Sequence, residues 1–67
     1  MKANDKIQGH PEISIRLQRC CASIGAETIA DLIAYNDLEL LKYRNFGKRT
    51  LDETRDIRYE ISKRLKD

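Results

Sequence analysis

Only two residues that disfavour helix, Gly25 and Gly47, stand between Pro11 and the end of the chain at Asp67. Each follows an apolar residue, in Ile24-Gly25 and Phe46-Gly47, and each is flanked by segments with helical patterning. Ser14 precedes Ile15–Ile24, where Leu17, Cys20, Cys21 and Ile24 recur at three and four. That spacing predicts a helix with one buried face, an N-cap at Ser14 and a left-handed stop at Gly25. Thr28 with Asp31, and Asn36 with Glu39, predict two short capped helices over Thr28–Tyr35 and Leu38–Tyr43. Beyond Gly47 nothing interrupts a last helix, whose stripe is Leu51, Ile57, Ile61 and Leu65 with Thr54 at its centre. No segment alternates as a strand does. The expected fold is all-α: a compact bundle of four short helices containing two helix-hairpin-helix-like units.

In such a unit the glycine is expected to reverse the backbone at positive φ, leaving the next helix to open with bare N–H groups. Those groups suit a phosphate oxygen. The second unit adds charge. Lys42, Arg44, Lys48 and Arg49 cluster around Asn45-Phe46-Gly47 without an acid, and Arg16 and Arg19 form a smaller basic point. The formal charge is only +2, so clustering rather than excess marks this surface as a candidate contact for nucleic acid.

Other chemistries find little support. At 67 residues the protein is one small domain, well short of the ~200 residues or more of a barrel enzyme. Cys20 and Cys21 are adjacent and point about 100° apart on a helix, and His10 is the lone histidine, so no metal spacing exists. The cysteines read as reduced thiols, one of them core filler. Asp52, Glu53 and Asp56 read as a solvated face. No apolar stretch approaches the ~20 residues of a membrane span. We therefore expect no catalysis, no cofactor, no metal, no membrane and no small-molecule substrate. Residues 1–11, polar and broken by Gly9-His10-Pro11, are expected to be a flexible N-terminal arm before a domain at 12–67.

The run Asp37-Leu38-Glu39-Leu40-Leu41-Lys42-Tyr43-Arg44-Asn45-Phe46-Gly47-Lys48-Arg49-Thr50-Leu51-Asp52-Glu53 resembles the C-terminal domain of the bacterial RNA polymerase α subunit. There the hairpin typically reads Arg-Asn-Phe-Gly-Lys-Lys-Ser-Leu. The likeness runs without a gap from about residue 12 to 56 and includes Ile13–Arg16 and Ile29–Leu32. It implies a cytoplasmic, nucleoid-associated module that contacts A/T-rich upstream promoter DNA through the minor groove and meets RNA polymerase subunits, sigma factor or transcription activators. By matching position, Arg16 would enter the minor groove, with Arg19, Cys20, Asn45, Gly47 and Lys48 on the same face. Arg49 and Thr50, replacing lysine and serine, would contact phosphate. Glu53 would orient the arginine, and Glu12 would contact sigma factor.

Several positions depart from the family's pattern. Arg19 stands where asparagine is usual, Cys21 replaces leucine, and Thr54 and Arg58 occupy aliphatic positions of the last helix. The family's Gly-Leu ending gives way to Ile61-Ser62-Lys63-Arg64-Leu65. A free-standing relative acting as a protein-interaction adaptor of the transcription machinery, with little DNA binding, is the competing expectation. A fragment of a DNA-repair enzyme fits less well, because generic tandem hairpins carry glycine where Asn45 stands.

Overall fold

A computed structural model describes the backbone of residues 1–66 and the side chains through residue 63. Four helices follow in order: α1 (Ile15–Ile24), α2 (Ile29–Ile33), α3 (Asp37–Leu41) and α4 (Lys48–Lys66). Among the described residues there is no strand, only an isolated antiparallel bridge between Lys6 and Thr28. No described helix is long and apolar enough to cross a membrane.

Local signals explain most of these boundaries. Ser14 Oγ accepts the Leu17 N–H at 3.1 Å, and Gly25 closes α1 at φ 79°. The Ala26 N–H then reaches back to the Cys21 carbonyl, the bond pattern that consumes the last free carbonyls of a helix. Thr28 with Asp31, and Asn36 with Glu39, each form a complete capping box. The helices they open are shorter than the sequence pattern suggests. Beyond Ile33 and Leu41 the backbone tightens into three-residue turns, Tyr35 N–H to Leu32 O and Tyr43 N–H to Leu40 O.

The long helix α4 packs against each of the other three. Leu51, Thr54, Ile57 and Ile61 all lie on its buried side, as the three- and four-residue spacing requires. The side chain of Leu65, the last member of the expected stripe, lies outside the described residues. Thr54 is tolerated at the centre of the stripe because its hydroxyl donates to the Thr50 carbonyl at 2.8 Å. Burying each aliphatic partner of these residues, Leu17, Ile29, Leu32 and Leu40 among them, is worth about 1.5–3 kcal/mol.

Two expectations need correction. Residues 1–11 are not a loose arm. Ile7 is completely buried, and the segment lies along the α1–α2 connection, where the Ile7 N–H donates to Glu27 O at 2.9 Å. The carbonyls of Asp5 and Ala3 accept the N–H groups of Ile29 and Ala30, the first two residues of α2. Those N–H groups have no partner inside a helix, so the segment completes the cap of α2. A single buried isoleucine in a polar stretch carries no periodicity, which is why the docking leaves no trace in the pattern.

The second correction concerns the hairpins. Gly25 has positive φ but Gly47 does not. Gly47 instead sits at the start of α4, its carbonyl accepting the Leu51 N–H at 3.0 Å and the Thr50 hydroxyl at 2.9 Å. The two units share a sequence outline and differ in backbone.

Candidate nucleic-acid interface

Arg16, Arg19, Cys20 and Ser23 share one face of α1, at the spacing that brings every third or fourth residue together. That face meets Asn45, at the tip of the second hairpin, across a shallow groove of about 450 Å³. Asn45 is held from both ends. Its carbonyl accepts the Cys20 thiol at 3.1 Å, and its Nδ2 donates to Ser23 Oγ at 3.3 Å. Phe46, buried behind it, anchors the hairpin in the core. The tip is thereby fixed against α1, and Arg16 and Arg19, both exposed, stand on the groove wall.

Just past Asn45, Gly47, Lys48 and Arg49 are exposed. Because the first backbone bond of α4 runs from the Leu51 N–H to Gly47 O, the N–H groups before Leu51 lack an intrahelical acceptor. Here α4 differs from α2 and α3. Those helices carry acids in their first turn, which answer both the bare N–H groups and the positive end of the helix dipole. The first turn of α4 carries no acid and two cations. Positive side chains beside a positive helix end repel one another, and an external anion relieves that repulsion.

The cations of this surface have no carboxylate partner among the described residues. Among the described residues, the carboxylate–arginine pairs involve Arg55 and Arg58, both bound to Asp37 at 2.8 Å. Arg58 also donates to the Tyr35 carbonyl. Together they clamp the start of α3 to α4 and hold the Asp37 carboxyl below the usual carboxylate range, Arg58 contributing most. A larger hollow of about 630 Å³ lies beside this clamp, between Ile33 and Leu38, and its one cation, Arg58, is already engaged.

Several residues expected at the interface are placed differently. Thr50 is only 2% exposed and its hydroxyl is spent on Gly47 O, so it cannot reach a phosphate. Cys20 forms the floor of the groove rather than its rim. Burial pushes its thiol upward, partly opposed by Arg16, and pushes the Cys21 thiol to about 12. Neither acts as a thiolate near neutral pH. Glu53 does not bond to Arg16. Both of its carboxylate oxygens accept from Ser14, one from the backbone N–H at 2.9 Å and one from the hydroxyl at 2.6 Å. Glu12 is exposed at a separate acidic hollow with Glu53, Asp56 and Glu60. Among the described residues no cluster is suited to a metal ion.

Charge patterning does not single out Ser23, although its position seven residues after Arg16 on the same helix face points to it. Ser14 reads in sequence only as a helix cap, and nothing local signals its bond to Glu53.

Residues 10–66 match the family of the C-terminal domain of the bacterial RNA polymerase alpha chain. The DNA-directed RNA polymerase subunit alpha of Phocaeicola vulgatus is 41% identical over 46 residues, 69% of this protein and 14% of that relative. The corresponding subunit of Clavibacter michiganensis is 32% identical over 56 residues, 84% of this protein and 17% of the relative. That of Mesostigma viride is 38% identical over 52 residues, 78% and 16%. The chain thus spans less than a fifth of the length of these relatives. No solved structure matches it.

Proposed function

This protein belongs to the family of bacterial RNA polymerase alpha C-terminal domains, and from that premise we propose that it is a non-catalytic DNA-docking module of the transcription machinery. It binds A/T-rich upstream promoter DNA through the minor groove. The observation that carries this reading is the pairing of unneutralised arginines on α1 with a cationic helix start that has no acidic cap.

Arg16 enters the minor groove, where a narrow A/T tract concentrates negative potential and favours a guanidinium without base-specific pairing. Asn45, fixed by Cys20 and Ser23, presents its amide beside it. Lys48, Arg49 and the N–H groups at the start of α4 grip the backbone and set the register. Gly47 serves by having no side chain, because a phosphate then approaches the helix start closely. Arg19 adds a charge on the groove wall. Glu12 and the acidic hollow around it offer a surface for a basic partner such as sigma factor or an activator.

About three to five phosphate contacts give a log–log salt slope of roughly −3 to −4.5 and weak binding at physiological salt. Attachment to a larger assembly raises the effective concentration enough to make such a contact useful.

The test is affinity for A/T-rich and G/C-rich duplexes at low salt, measured for the unaltered protein, Arg16→Ala and Asn45→Ala. Preference for A/T and its loss in both variants supports the reading. Equal affinity across all of them overturns it in favour of a protein adaptor.

A further inference from the structure

We infer that Ser23 is a positioning residue of the DNA surface: it sets the rotation of the Asn45 side-chain amide before any duplex arrives. The inference rests on the docking reading above and concerns how Asn45 is made ready for it. Ser23 stands in the last turn of α1, exposed, on the face that carries Arg16 and Arg19. Its hydroxyl oxygen accepts from Asn45 Nδ2 at 3.3 Å, across 22 residues of sequence. Both residues line the groove between α1 and the second hairpin.

The contacts at the hairpin tip are of two kinds. The buried ring of Phe46 and the Cys20 thiol, which donates to the Asn45 carbonyl at 3.1 Å, hold the backbone. Neither reaches the Asn45 side chain. An asparagine amide turns about a broad, roughly two-fold terminal torsion, so a fixed backbone still lets its donor and acceptor exchange places. Among the described residues, the bond to Ser23 is the one hydrogen bond that the Asn45 amide makes. It commits one amide hydrogen to α1 and leaves the second hydrogen and the amide oxygen in a defined orientation for a ligand.

Electrostatics and positioning give different expectations for the same substitution. Alanine at position 23 removes no charge, so the potential of the cationic surface is unchanged and binding should be unchanged with it. If Ser23 seats the amide, alanine frees it, and the duplex must then order that side chain at a cost in affinity. Threonine keeps a hydroxyl on the same face of the helix and should restore the contact.

The experiment compares the full-length protein with Ser23→Ala, Ser23→Thr, Asn45→Ala and the double variant Ser23→Ala/Asn45→Ala on an A/T-rich duplex at low salt. NMR relaxation of the Asn45 side-chain amide in the free protein, and the thermal midpoint, are recorded in parallel. We expect Ser23→Ala to lose about 3–10-fold in affinity with an unchanged salt slope, because no phosphate-binding cation is lost. Ser23→Thr should bind as the parent does. The order parameter of the Asn45 amide should fall in Ser23→Ala and recover in Ser23→Thr, while the backbone amides of Asn45 and Phe46 keep theirs. The thermal midpoint should stay near that of the parent, since both side chains are exposed. In the Asn45→Ala background, removing the hydroxyl should cost nothing further. Unchanged or tighter binding by Ser23→Ala overturns the inference, as do equal losses in Ser23→Ala and Ser23→Thr. Additive losses in the double variant also overturn it, because they make Ser23 a contact in its own right. Failure of the unaltered protein to bind the duplex counts against the docking reading instead. An Asn45 amide equally ordered with and without the Ser23 hydroxyl then overturns the positioning role on its own.

Discussion

The two glycine hairpins look alike in sequence and answer to different constraints. Gly25 is required by its own backbone: it stops α1 at φ 79°, a conformation that costs most side chains about 1–2 kcal/mol. Gly47 has no positive φ, and a methyl group added there would meet nothing within 4 Å. Nothing inside the molecule asks for glycine at position 47. The surroundings differ in the same sense. The helix after Gly25 is sealed by Thr28, Asp31 and the carbonyls of residues 3 and 5. The helix after Gly47 opens bare beside Lys48 and Arg49. The first hairpin is closed by the protein itself, and the second is left open at the surface.

The largest effect that sharpens this contrast falls on the residue facing the second hairpin. Arg16→Ala should weaken binding to an A/T-rich duplex by more than about tenfold and reduce the salt slope by about 1, with little change in thermal midpoint. Titrations at several salt concentrations read both quantities. Gly25→Ala should come next and move the other observable. It should cost about 1–2 kcal/mol of stability by denaturant unfolding while the folded protein binds DNA as before.

Gly47→Ala should reverse that pattern on a smaller scale. We expect stability within about 0.5 kcal/mol of the parent and a few-fold loss of DNA affinity, since the new methyl points to open surface. A large loss of stability in this variant would erase the distinction between the hairpins.

The smallest effect is one of pH. Backbone N–H groups of Thr28 and Glu27 hold the Asp31 carboxyl below its usual range, so the folded form binds its proton less readily than the unfolded protein. The stability it contributes is complete above the ordinary carboxylate range near pH 4 and is lost as pH falls through the lower folded value. Protection of the amides at the start of α2 against exchange, taken relative to their intrinsic rate at the same pH, should therefore fall in acid. The start of α4, with no acid in its first turn, should lack that response.

What could be read from the sequence was local. The cap at Ser14, the stop at Gly25 and both capping boxes involve residues no more than a few positions apart. The stripe of Leu51, Thr54, Ile57 and Ile61 follows from helical spacing alone. The arginines and Asn45 could be located because they flank those local signals. What escaped depends on distant pairs. Glu53 with Ser14, Asp37 with Arg55 and Arg58, and Ile7 beneath the α1–α2 connection join segments that no periodicity relates. Thr50 misled because a hydroxyl beside two cations suggests a surface, whereas its helix position turns it inward to the Gly47 carbonyl. The sign of φ at Gly47 could not be read either, since glycine serves equally in a left-handed turn and at an open helix start.

If the second hairpin and the facing side of α1 together form the DNA surface, both must respond to the same duplex. Titrating the labelled protein with a short A/T-rich duplex at low salt, and following each backbone amide by NMR, reads this residue by residue. Shifts should concentrate at Arg16–Ser23 and Asn45–Arg49 and fade as salt is raised, with Gly25–Thr28 unmoved. Shifts confined to the first hairpin, or none at any duplex concentration, would contradict that surface.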